Sequence, residues 1–110
     1  MQTNPLSYYF GDRNPAINRL ADQYGDRLER MTTAQKLLAI SVLSGVLHEI
    51  ETHPTEECLI ENYLTALLCT LDDGDNKNLC NSLKNLDDCE PSTIATLVMA
   101  IAIYAAQEVR

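Results

Sequence analysis

Apolar residues recur three and four positions apart in five successive stretches of this chain, a spacing that predicts helices rather than strands. The first stretch opens with Asn14 as a helix cap and Pro15 at the first helical position. Ile17, Leu20, Ala21, Tyr24, Leu28 and Met31 then form one stripe, so the spacing predicts a helix over 15–31. Gly25 lies inside it, costs about 1 kcal/mol relative to Ala, and marks where that helix can kink or break. Arg19, Asp22, Asp26, Glu29 and Arg30 fall on the opposite, solvated face.

Thr32 and Gln35 fit a capping box and start a second helix that runs to about Glu51. Its apolar arc is broad (Leu38, Ala39, Ile40, Val42, Leu43, Val46, Leu47, Ile50), and Ala34, Ser41, Ser44 and Gly45 make a stripe of small residues on its other side. Small side chains admit a neighbouring helix closely, so this reads as a central helix covered on more than one side. Pro54 opens a third helix, over 54–71, with Leu59, Ile60, Tyr63, Leu64, Leu67, Leu68 and Leu71 inward. Directly opposite, Cys58, Asn62, Thr65 and Cys69 line up without a charge among them. A solvated face normally carries Lys or Glu, so this second stripe is a candidate surface for self-association.

Asp72, Asp73 and Gly74 provide a stop, and Asp75 can cap a short fourth helix that buries Leu79, Cys80, Leu83 and Leu86. After a break at 87–91, the last helix, over 92–108, is apolar almost all round: Ile94, Leu97, Val98, Met99, Ile101, Ile103, Tyr104. A helix without a polar face is either enclosed by its neighbours or completed by another subunit. We therefore expect a homodimer. Residues 1–13, punctuated by Pro5 and Gly11 and weighted by Leu6, Tyr8, Tyr9 and Phe10, read as an extended arm that docks on its own domain. The expected fold is all-α, a compact bundle of about five helices formed by residues 14–110, with that N-terminal arm.

Composition agrees with a single core. The 110 residues are 45% hydrophobic but only 5% aromatic, so aliphatic side chains must fill the interior. Charge sharpens the functional expectation. The net charge is −8, and it is placed unevenly. Up to Lys36, five basic residues (Arg13, Arg19, Arg27, Arg30, Lys36) meet four acidic ones; beyond it, only Lys77, Lys84 and Arg110 meet twelve Asp and Glu. Such a surface repels a phosphate backbone, which argues against nucleic acid and for a protein partner with a basic surface or for a cation. Glu49, Glu51, Glu56, Glu57 and Glu61 span thirteen residues without a Lys or Arg and are the candidate partner-binding set.

The start of the chain lacks the basic, then apolar, pattern of an export signal, and the apolar run over 94–106 is too short to span a bilayer. We expect a cytoplasmic protein that does not enter membranes. The four cysteines, Cys58, Cys69, Cys80 and Cys89, form no CxxC pair and read as small apolar side chains. His48 and His53 are five apart, not at the HExxH spacing that sets two imidazoles one turn apart on a zinc ion. Asp72, Asp73 and Asp75 form an oxygen cluster of the kind Ca²⁺ takes, yet an EF-hand loop begun at Asp73 puts Lys84 where its bidentate Glu belongs. A site shared with Asp87, Asp88 and Glu90 is the alternative reading, a divalent-cation protein; two acidic turns are the plainer one. The scattered glycines supply no phosphate loop, and no cysteine has a histidine at a recognised catalytic spacing. No cofactor is implied. The leading expectation is a non-enzymatic, acidic helical interaction module: an adaptor, regulator or inhibitor.

Overall fold

The computed structural model describes residues 4–11, 14–53 and 74–109. Among these the chain is all helical: α1 (Leu6–Phe10), α2 (Pro15–Tyr24), α3 (Thr33–Thr52), α4 (Gly74–Lys84), a 3-10 turn (Asn85–Asp88) and α5 (Pro91–Ala106). The helix expected over 54–71 lies outside the described residues.

α2 begins as its sequence dictates. The Asn14 side-chain oxygen accepts from the backbone N–H groups of Ala16 (3.1 Å) and Ile17 (3.2 Å), and Pro15 has no N–H to satisfy. Its end differs from expectation, because α2 stops at Tyr24 rather than near Met31. Gly25 has φ 100°, a region open to glycine but hardly to other residues, and its N–H donates to the Ala21 carbonyl (2.7 Å). The chain then turns through Leu28, itself at φ 54°. Leu28 and Met31 nevertheless reach the core, Leu28 with no exposed surface at all. Their helix-like spacing therefore reports burial, not continued helix. The turn is held by Arg30 N–H on the Tyr24 carbonyl (2.8 Å) and by the Arg30 guanidinium on the Asp22 carbonyl (2.9 Å).

The arm is not extended. Residues 6–10 coil into α1, Leu6 is buried, and the Leu6 N–H donates to the Asp26 carbonyl (2.7 Å). The Tyr104 hydroxyl donates to the Asn4 carbonyl (2.6 Å), which ties the arm to the last helix. The segment docks on its own domain, as expected.

α3 carries the expected capping box: Gln35 N–H donates to the Thr32 hydroxyl oxygen (3.1 Å), and Thr32 N–H to the Gln35 side-chain oxygen (2.9 Å). It lies beside α5, the first turn of α3 meeting the end of α5. Ala39, Val42, Leu43 and Val46 of α3 join Ile94, Leu97, Ala100 and Ile101 of α5 in one aliphatic core with Ile17, Leu20, Leu79, Leu83 and Leu86. α4 starts at Gly74, so Asp75 falls inside its first turn instead of capping it. Its expected inward residues, Leu79, Cys80 and Leu83, are buried, and so is Leu86 in the 3-10 turn.

Candidate protein-interaction surfaces

Glu49 and Glu51 occupy the last turn of α3, where no Lys or Arg accompanies them. Backbone carbonyls give that end of a helix a partial negative charge, so carboxylates there favour an external cation. Glu51 is exposed; Glu49 is partly so, and its carboxylate lies 3.3 Å from Nδ1 of His53, an ion pair when the imidazole is protonated. His53 also lies 3.1 Å from the Thr52 hydroxyl, which donates to the His48 carbonyl (2.8 Å) and so reinforces the helix end. Glu56, Glu57 and Glu61 lie outside the described residues, as do Cys58, Asn62, Thr65 and Cys69.

The outer sides of α3 and α5 are unlike an ordinary solvated helix. Of the small-residue stripe expected to seat another helix, Ala34, Ser41 and Ser44 are exposed and Gly45 is half-buried, so among the described residues no helix covers it. On α5, Ile94, Leu97, Ala100, Ile101, Tyr104 and Ala105 face inward. Ala95, Met99, Ala102 and Ala106 face outward, with Met99 47% exposed, and Val98 and Ile103 are half-buried beside them. Among the described residues, no helix covers that side of α5. No charged side chain lies between Pro91 and Ala106.

One strong charge pair defines the opposite end of this helix pair. Lys36 is 2% exposed, and its ammonium donates to both carboxylate oxygens of Glu108 (2.6 Å each) and to the Met31 carbonyl (3.1 Å). The Thr33 hydroxyl adds a bond to the same carboxylate (3.2 Å). Glu108 is therefore a structural anion for a buried cation. The sequence offers no hint of it, because the partners are far apart along the chain and Lys36 has the outward look of a first-turn lysine.

Metal and thiol chemistry find little geometry here. Among the described residues no three His, Cys, Asp or Glu side chains are grouped to hold a metal ion. Asp72 and Asp73 of the candidate cation set lie outside the described residues; Asp75 is in α4, Asp87 and Asp88 end the 3-10 turn, and Glu90 is an exposed residue preceding α5 with no capping bond. Cys80 is a free, buried thiol that burial pushes up from its ordinary pKa, with the Lys84 ammonium pulling the other way; it behaves as a core side chain. Cys89 is free and half-buried, within 3.7 Å of the Asn14 amide nitrogen. It borders an open groove of about 460 Å³ whose charged members, Arg19 and Glu90, are both exposed. No helix among the described residues is long and apolar enough to cross a membrane. Comparison with protein-family models, with curated proteins and with solved structures finds no match to this chain.

Proposed function

We propose that this chain is a small acidic helical interaction module, a non-enzymatic adaptor, regulator or inhibitor that works in the cytoplasm as a homodimer and binds a protein partner through a basic surface on that partner. The observation that supports the reading is the outward side of α5, which is free of charged side chains and, among the described residues, not covered by another helix. Burying such a face on a partner removes apolar area from water, at roughly 25 cal/mol per Å² before the costs of association. The acidic end of α3 supports the second part of the proposal. Glu49 and Glu51 stand at a helix end whose own dipole disfavours them, a tension that a basic partner relieves. The carboxylates of Glu56, Glu57 and Glu61 follow in sequence and extend the same negative stretch.

Capture of partners from a lysate of the native host, read by mass spectrometry, tests the acidic half of the reading. Reversal of Glu49 and Glu51 to Lys is expected to weaken capture, and adding E56K, E57K and E61K to abolish it. Raising the salt should weaken it as well, since exposed charges are screened within about 10 Å at 0.1 M. Capture that is indifferent to both charge reversal and salt would contradict the proposal.

A further inference from the structure

We draw no further inference here: the strongest candidate, the open groove between the start of α2 and the start of α5 bordered by Asn14, Arg19, Cys89 and Glu90, rests on two helix N-termini and a lone cysteine, and among the described residues no buried polar side chain lacking a partner is aimed into it.

Discussion

α2 and α5 look alike from inside and opposite from outside. α2 buries Ile17, Leu20 and Tyr24, and α5 buries Ile94, Leu97, Ile101 and Tyr104, all into one aliphatic core. Outward, α2 presents Arg19, Asp22 and Gln23 to water, whereas α5 presents Ala95, Met99, Ala102 and Ala106. The inner faces account for the fold. The outer faces differ: that of α2 carries charge, and that of α5 carries none between Pro91 and Ala106.

The largest expected effects fall on the shared inner side. Leu20→Ala in α2 and Leu97→Ala in α5 each remove a fully buried side chain and should each cost about 3 kcal/mol in chemical denaturation. A loss below about 1 kcal/mol at either position would show that its helix contributes little to the shared core. Next comes the tie that fixes the end of α5. Glu108→Ala strands the Lys36 ammonium with only the Met31 carbonyl and should cost about 2–4 kcal/mol, less than a fully enclosed pair because Glu108 is partly exposed. Replacing both partners, K36M with E108Q, should recover most of that loss; no recovery would mean that Glu108 acts by some route other than neutralising Lys36.

The end of α2 gives a somewhat smaller effect. Gly25→Ala forces φ 100° on a residue with a Cβ, and that carbon would collide with the Glu29 carboxylate, which accepts from the Arg27 N–H (2.8 Å). A loss of about 1–3 kcal/mol is expected, and a neutral outcome would show that α2 can run on past Tyr24.

Alkaline pH probes the attachment of the arm to α5. Burial, aided by Tyr9, Glu29 and Asp26 and opposed by Arg27, pushes the Tyr104 hydroxyl up from 10.0 to about 12. Between those values the folded state holds a proton that the unfolded chain has released, so stability present below pH 10 is lost as pH rises toward 12. Urea midpoints measured across that range should fall for the wild type and fall less for Tyr104→Phe. Equal slopes would contradict the assignment. Smallest of all, Asp22→Ala and Met99→Leu should change monomer stability by no more than about 0.5 kcal/mol, since both positions face outward.

Much of this comparison was legible in the residues, and what was not has physical reasons. Asn14–Pro15 and the Thr32–Gln35 box placed two helix starts correctly because capping is local chemistry. Leu28 and Met31 misled because a turn through a left-handed Leu28 buries residues at the same intervals as a helix. α1, with five residues, is too short for periodicity to register. The apolar character of α5 was plain in sequence, yet which side faced water depended on the neighbours that cover the other. The Lys36–Glu108 pair is a tertiary fact without a local signature. At the candidate surfaces, negative charge at the end of α3 was readable directly, whereas the stripe opposite Ile94, Leu97 and Ile101 emerged only once the core had chosen its side.

Light scattering coupled to size exclusion, run over a hundredfold range of loading concentration centred on about 100 µM, tests the proposed homodimer most directly. The weight-average mass is predicted to climb from 12.3 kDa toward twice that value as concentration increases. A mass fixed at 12.3 kDa for the unmodified chain at every loading would contradict the account.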